Sequence, residues 1–332
     1  MRAVLYGSGS PLSIAALEAL APVATVVAVV MPAPRPVRGA RSALRSFFSR
    51  RARLPLHRAA RQRGVPILMA RPGPDPDLEA SLRRLEPDLV CVATFPYLLP
   101  ASMLAIPRLC TLGVHPSLLP RHRGPAPLFW TYFHDDAEAG VTVFRVDTGE
   151  DTGDIVLQEA IPLARGRPGA DLYAEIARRG GSLLARAVQA VEAGAAPRVS
   201  QDPARAMRDP VPARGVWRID FERWGAERVW HFLRGVHVRG PLLADARGRL
   251  VVHGGARGFR LQAPSGTPGR MERVPGGFRL HCRDGVVELQ AASLATRVWW
   301  ATRRLTGAWR GPAGPSPRRS ATGERTGTRS SA

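Results

Sequence analysis

The chain has 332 residues, 45% of them hydrophobic, which is enough for two globular domains with buried cores and a short tail. Its three cysteines lie far apart without a CxxC pair, so the sequence supports neither a disulfide framework nor a cysteine-based zinc site and favours a cytoplasmic protein. No apolar run reaches the roughly 18 residues of a membrane span, and no leader with an apolar core follows Met1, so neither membrane insertion nor secretion is expected.

The first part of the chain alternates between apolar strands and helical patterns. A strand at Arg2–Tyr6 is followed by the glycine turn GSGS and by an apolar-periodic helix at Pro11–Leu20. Further elements are predicted as strands at Val23–Val30, Val65–Leu68, Leu89–Thr94 and Thr111–Val114 and a helix at Asp77–Leu85. This alternation predicts an α/β domain with an open, mainly parallel sheet. The GxG turn lacks the third glycine of a dinucleotide fingerprint, which argues against NAD binding.

The second part changes from this α/β pattern to short strands. Strands at Val141–Val146 and Asp154–Leu157 and an amphipathic helix at Asp171–Ala193 complete a first domain over residues 1–193. Residues 194–215 are rich in Ala, Pro and Arg and predict a linker. In residues 216–300, a short helical region containing RIDFERW and AERVWHFLRGV precedes strands at Leu250–His253, Gly258–Leu261, Phe278–His281 and Val286–Leu289. This spacing predicts a small, OB-like β-barrel, followed by a disordered basic tail over residues 301–332.

Positive charge is concentrated in two segments of the chain. The net charge is +21 and is carried by arginine alone, since the sequence contains no lysine. Eleven arginines and no acidic residue lie between Glu18 and Asp75, and residues 301–332 hold seven arginines against Glu324. Such clustering suits a polyanionic partner, with nucleic acid first and anionic lipid second. A solvated arginine-rich surface that reflects compositional bias is the alternative.

Two segments carry candidate catalytic side chains. His115 follows the predicted strand Thr111–Val114 and precedes Pro116, so it is expected at a strand end, and ligands of open parallel sheets bind at the carboxyl ends of strands. The loop DTGEDTGD places Asp147, Glu150, Asp151 and Asp154 within one glycine-containing turn, where a carboxylate can face an imidazole. Calcium binding by this loop is the alternative, but the spacing does not match an EF-hand, so no metal is expected.

The segments VHPSLLPRHRGPAP and GVTVFRVDTGEDTGD resemble the folate-dependent formyltransferases. The similarity extends over most of residues 1–300 and is greatest to the members that formylate methionyl-tRNA. It implies a Rossmann-like domain that binds 10-formyltetrahydrofolate as formyl donor and a C-terminal barrel that helps to hold initiator methionyl-tRNA. A small amine, such as an amino sugar or amino acid, is the alternative acceptor.

The resemblance also assigns catalytic positions. The family's catalytic His falls on His115 and its Asp on Asp151, and its catalytic Asn falls on Gly113. In such enzymes the His moves protons, the Asp orients it, and the Asn amide donates to the oxyanion that forms as an amine attacks the formyl carbon. Because loss of one such donor costs about 10²–10³ in rate, Gly113 implies a slow enzyme, a substitute donor, or a catalytically silent relative that binds RNA or folate.

Further binding residues follow from the resemblance. The folate pocket is expected to include Phe95, Leu99, Ser117, Leu118, Leu119, Pro120, Asp147 and Gly149. RNA contacts are expected from Arg38, Arg41, Arg45 and Arg123. The basic loop around Phe47 and Phe48 could alternatively form an amphipathic segment for a membrane surface. His122 stands where the family has Trp and is predicted to be a solvated loop histidine, with a second titratable group in the cleft as the alternative.

Overall fold

The computed structural model describes residues 1–33, 55–212, 219–236, 242–247, 249–263 and 266–298. The larger of its two sheets has seven strands, β1 (Arg2–Gly7), β2 (Thr25–Pro32), β3 (Ile67–Ala70), β4 (Leu89–Ala93), β5 (Cys110–His115), β6 (Glu138–Arg145) and β7 (Ile155–Pro162). The strand order is β3-β2-β1-β4-β5-β6-β7. Strands β1 to β5 are mutually parallel. At one side of the sheet, β6 pairs antiparallel with β5, and β7 pairs antiparallel with β6. The predicted Rossmann-like, mainly parallel sheet is therefore confirmed.

This strand order fixes where a ligand can bind. The chain moves outward from β1 in one direction through β2 and β3 and in the other through β4 and β5. The carboxyl ends of β1 and β4 therefore flank a topological switch point, which is where open α/β sheets bind ligands. His115 is the last residue of β5, the next strand along, so its side chain lies at the same edge.

Helices cover both faces of this sheet. They are α1 (Pro11–Leu20), α2 (residues 55–62), α3 (Pro76–Arg84), α4 (Ala101–Leu104), α5 (Pro127–Phe133) and α6 (Gly169–Glu192), whereas α7 (Ala226–Val236) packs against the smaller sheet. Helix α6 packs closely on α1, because a Cβ added at Gly181 would lie 2.7 Å from the carbonyl oxygen of Ala15. Helix α5 was not predicted; its sequence follows a proline-rich turn, and Pro127 occupies a position in the first helical turn.

The smaller sheet is antiparallel and lies toward the C-terminus. Its strands are β8 (Leu242–Ala244), β9 (Leu250–Leu261), β10 (Met271–Val274), β11 (Gly277–Cys282) and β12 (Gly285–Ala291), in the order β10-β11-β12-β9-β8. The prediction of two strands within residues 250–261 is wrong, since β9 is continuous. Gly255 takes φ 125°, and the pairing of β9 with β12 shifts register nearby, so this glycine forms an irregularity within a strand and not a turn.

The predicted helical region before β8 is also shorter than expected. Within RIDFERW, residues 221–223 form a turn, and the helix begins only at Ala226. The described part of the predicted linker, residues 194–212, contains a short 3-10 helix (Pro203–Arg205) and contacts the first domain, since Ile155 pairs with Val199 and Arg123 with Arg208 as isolated β-bridges. The domain boundaries stay predictions. Arg38, Arg41, Arg45 and the basic tail lie outside the described residues. Among the described helices, none has the length and apolar character to cross a bilayer.

Candidate active site

The structure brings His115 and Asp151 together at the edge of the large sheet. His115 ends β5 and is 6% exposed, while Asp151 lies in the loop between β6 and β7. His115 Nδ1 is 3.5 Å from Asp151 Oδ2. The two side chains come from segments 36 residues apart in sequence, and the antiparallel pairing of β5 with β6 is what places them side by side.

Both ring nitrogens of His115 have a defined neighbour. Nε2 lies 2.9 Å from the backbone carbonyl oxygen of His122, which can only accept a hydrogen bond, so Nε2 carries a hydrogen. In the neutral imidazole, Nδ1 is then the basic atom, and it faces Asp151. The backbone N–H of Gly124 donates to the same carboxylate oxygen over 2.8 Å and fixes its position.

Asp151 is held in a backbone conformation that non-glycine residues seldom adopt. Its φ is 57°, in the left-handed region. Gln201, from the predicted linker, donates through Nε2 to the carbonyl oxygens of Asp151 (2.9 Å) and Gly153 (2.7 Å). The Gln201 Oε1 atom accepts two hydrogen bonds from the Arg123 guanidinium, at 2.7 and 3.1 Å. Gln201 therefore fixes the backbone of Asp151, and Arg123, which was predicted to contact RNA, orients the Gln201 side chain.

Gly113 lies opposite an aromatic side chain that fills the space beside it. Gly113 and Phe144 are cross-strand partners in the pairing of β5 with β6. A Cβ built on Gly113 would lie 2.5 Å from Phe144 Cε1, 2.6 Å from Cζ and 3.1 Å from Val146 Cγ2. The phenyl ring thus occupies the space where a side chain at position 113 would begin. Sequence reasoning identified the missing amide but not the residue that replaces its volume.

A cavity of about 390 Å³ opens between these residues and the switch point. Its lining includes the predicted residues Phe95, Leu99, Gly113, His115, Asp147, Gly149 and Asp151, together with Ser8, Thr94 and Phe144. Apolar walls with a few polar groups are typical of sites for flat heterocyclic ligands. The hydroxyls of Ser8 and Thr94 lie 3.2 Å apart at the switch point and were not predicted. The signal that could have found them is the serine-rich turn after β1.

Four of the predicted pocket residues lie beneath the cavity and do not line it: Ser117, Leu118, Leu119 and Pro120. The Thr142 hydroxyl holds their turn against β6, since it donates to the carbonyl oxygen of Ser117 (2.7 Å) and accepts from the N–H of Leu119 (3.2 Å). These four residues therefore shape the backbone that follows His115. Direct contact of their side chains with a bound donor is not supported by this geometry.

The prediction that His122 is a solvated loop histidine is wrong. His122 is 3% exposed, and its ring lies between two carboxylates, with Nδ1 2.7 Å from Asp209 Oδ2 and Nε2 2.7 Å from Asp136 Oδ2. Burial lowers the pKa of His122, but the hydrogen bonds to Asp136 and Asp209 outweigh burial and raise the pKa above its ordinary value. Asp136 and Asp209 lie 14 and 87 residues after His122 in the chain, so local sequence spacing could not predict these contacts.

The chain is similar to proteins of known family over most of its length. The family model described as formyl transferase matches residues 4–188. Methionyl-tRNA formyltransferase of Anaeromyxobacter dehalogenans is 35% identical over 301 residues, covering 90% of this chain and 92% of the relative. Methionyl-tRNA formyltransferase of Syntrophus aciditrophicus is 33% identical over 246 residues, covering 73% of this chain and 78% of the relative.

A solved structure shares the fold at low sequence identity. The crystal structure of WlaRD, a sugar 3N-formyl transferase in the presence of dTDP and 5-N-formyl-THF, aligns with a TM-score of 0.64 at 15% identity and covers 89% of this chain and 99% of that chain. The family model spans more than half of the chain, and the two sequence relatives cover 90% and 73% of it. The resemblance seen in the sequence is thereby confirmed, and the chain belongs to the formyl transferase family.

Proposed function

We propose that this protein transfers a formyl group from 10-formyltetrahydrofolate to the α-amino group of methionyl-tRNA. The observation that carries the proposal is the placement of His115 Nδ1 3.5 Å from Asp151 Oδ2 at the edge of a cavity of about 390 Å³. Two relatives named methionyl-tRNA formyltransferase, similar over 90% and 73% of this chain, support the acceptor. The basic character of residues 19–74 supports a polyanionic partner.

The residues suit formyl transfer to nitrogen in a definite way. The donor supplies an activated formyl carbon; a C–N bond forms to the acceptor amine, the bond to the donor nitrogen breaks, and one proton must pass from the amine to the departing nitrogen. His115 Nδ1 is the atom that can take and return this proton, since Nε2 already donates to the carbonyl of His122. Asp151 stabilises the imidazolium that forms meanwhile. An α-amino group with a pKa of about 7.7–8.0 is substantially unprotonated near neutrality, so it needs little activation.

Stabilisation of the formyl oxygen is the step for which this chain lacks the family's side chain. Phe144 fills the volume at Gly113, so no side-chain amide reaches the cavity from that position. Hydroxyls of Ser8 and Thr94 line the same cavity and are candidate substitute donors, although Ser8 Oγ donates to Thr94 Oγ1 and Thr94 Oγ1 to the carbonyl oxygen of Ala93, so either would have to give up that hydrogen bond. If they do not act, the expected loss is about 10²–10³ in rate.

The Phe144 packing also favours a second candidate function. This second candidate is a protein that binds folate or RNA with little turnover. It would keep the cavity, the basic segment and the His–Asp pair, while a phenyl ring occupies the position of the oxyanion donor. A second acceptor class, a small amine such as an amino sugar, is consistent with the fold shared with a sugar 3N-formyl transferase.

An acceptor panel distinguishes these functions. The purified full chain is incubated with radiolabelled 10-formyltetrahydrofolate and with methionyl-tRNA, free methionine or a nucleotide-linked amino sugar. Asp77→Asn, which neutralises a carboxylate on α3 outside the cavity, is the control for effects of losing a carboxylate elsewhere in the chain. We expect label on methionyl-tRNA in both proteins. Label on the amino sugar alone would contradict the proposed acceptor, and no transfer to any amine together with saturable folate binding would favour the binding-protein function.

A further inference from the structure

A second cluster of ionisable side chains lies outside the cavity, on the opposite side of the loop that follows His115. It joins His122 from this loop, His134 from the end of α5, and Asp209 from the predicted linker. His122 Nδ1 is 2.7 Å from Asp209 Oδ2, and His134 Nε2 is 3.8 Å from Asp209 Oδ1. The potential ligand atoms of the three residues all lie within 4.8 Å of one another.

A fourth residue holds the other ring nitrogen of His122. Asp136 Oδ2 accepts from His122 Nε2 over 2.7 Å and Asp209 Oδ2 accepts from Nδ1 over 2.7 Å, so a zinc ion would replace the hydrogen on Nδ1 while Nε2 keeps its own. Arg121 in turn pairs with Asp136. Histidine ligands of metals are commonly oriented in this way, by a carboxylate on the nitrogen that does not bind the ion.

The second imidazole is oriented by stacking and remains accessible. The His134 ring stacks on His122, with centroids 5.6 Å apart and an angle of 23° between the planes, and on Trp130 at 5.7 Å and 28°. The side chain of His134 is 35% exposed, whereas that of His122 is 3% exposed. His134 thus provides an entry path from solvent to a site whose other histidine is buried.

We propose that His122 Nδ1, His134 Nε2 and the Asp209 carboxylate bind one divalent zinc ion. Two imidazoles and a carboxylate are a ligand set that zinc accepts, and three protein ligands leave the fourth tetrahedral position for water. Zinc–ligand bonds of about 2.0–2.2 Å place two tetrahedral ligands about 3.3–3.6 Å apart, so ligand atoms that lie within 4.8 Å of one another need to close by at most about 1.5 Å.

Zinc at this position would connect the linker to the loop of the active site. The His122 carbonyl accepts from His115 Nε2, and Asp209 pairs through its backbone N–H with the carbonyl of Arg123 over 3.0 Å. An ion shared by His122 and Asp209 would therefore cross-link the two segments. Because it binds the folded chain in preference to the unfolded chain, zinc should raise the melting temperature in proportion to the logarithm of its concentration.

The test uses untagged full-length protein, treated with a chelator and titrated with zinc chloride by isothermal titration calorimetry and thermal melting. We expect about one zinc ion per chain after gel filtration, measured by elemental analysis, and a rise in melting temperature. His134→Ala should abolish both effects, and Asp136→Asn should weaken binding by about 10–100-fold, the usual loss for an outer-sphere carboxylate. His57→Ala removes a histidine of α2 outside the cluster and should change neither effect.

His134→Gln provides a second ligand-removing variant if the alanine variant is poorly folded. Absence of saturable zinc binding, or equal binding by wild type and His134→Gln, would overturn the proposal. Neither zinc binding nor the melting temperature depends on formyl transfer. A negative result for zinc would therefore not contradict the proposed function, and absence of formyl transfer would not contradict the zinc site.

Discussion

Introducing an amide side chain at position 113 should destabilise the fold unless Phe144 is changed with it. Gly113→Asn alone introduces a Cβ 2.5 Å from Phe144 Cε1 and 2.6 Å from Cζ, distances that real Cβ contacts do not show. Phe144 is 5% exposed and Val146 stands 3.1 Å from the same Cβ, so the ring has little room to move aside. Overpacking of this kind costs about 1–3 kcal/mol in the free energy of unfolding.

A second substitution at Phe144 should relieve the clash between the new Cβ at position 113 and the phenyl ring. Phe144→Leu removes Cε1 and Cζ, the two atoms nearest the new Cβ, while keeping an apolar residue on β6. The double variant Gly113→Asn/Phe144→Leu should therefore be more stable than the sum of the single changes predicts, by about 0.5–3 kcal/mol for residues in contact. If the added amide reaches the formyl oxygen, the double variant should also exceed Phe144→Leu in transfer rate by up to about 10²–10³.

The assay combines urea unfolding midpoints of the four proteins in the cycle with single-turnover formyl transfer. Phe144→Leu alone is the control, because it opens the same space without adding an amide. A Gly113→Asn protein as stable as wild type, with a coupling energy near zero, would refute the packing argument. A rate gain in Gly113→Asn alone that equals the gain in the double variant would refute the claim that the ring blocks the amide.

Three further outcomes are expected. Burial lowers the pKa of His231 to about 4, so the unfolded chain binds the proton more readily than the folded chain. The free energy of unfolding should therefore fall by about 3 kcal/mol as the pH drops from about 6.5 to 4. Urea unfolding midpoints of His231→Gln should fall less over the same pH range. Gln201→Ala should lower kcat for formyl transfer by about 10–100-fold by releasing the backbone of Asp151, whereas an equally stable variant with unchanged kcat would remove Gln201 from the positioning role. Affinity for tRNA should fall steeply as salt rises, with a straight negative slope of log affinity against log salt; a flat plot would contradict an RNA partner.

Local sequence patterns were sufficient for the elements that position the active site. Helix α1 begins and ends where the periodic apolar residues after the glycine turn predicted, and Ser10 caps it by accepting from the N–H of Ser13. Strand β5 was predicted because it is short, apolar and ends before Pro116, which cannot continue a ladder. The meeting of His115 with Asp151 could be anticipated only through the family resemblance, since spacing alone does not reveal that β5 pairs with β6.

Interactions that depend on distant segments could not be predicted. Phe144 lies 31 positions after Gly113, and only the cross-strand register shows that its ring fills the space beside that glycine. His122 looked like a surface histidine because its neighbours in sequence are arginines, yet the linker supplies Asp209 and covers it. Gly254 and Gly255 suggested a turn, but glycine is equally suited to the irregular pairing that β9 makes with β12.

The most direct test of the central claim is a double-mutant cycle in single-turnover formyl transfer to methionyl-tRNA, with wild type, His115→Ala, Asp151→Asn and the double variant. If the imidazole and the carboxylate act as one unit, His115→Ala should lose about 10²–10⁴ in rate, and adding Asp151→Asn should cost little more. Wild-type turnover in His115→Ala, or fully additive losses in the double variant, would contradict the claim that this pair moves the proton.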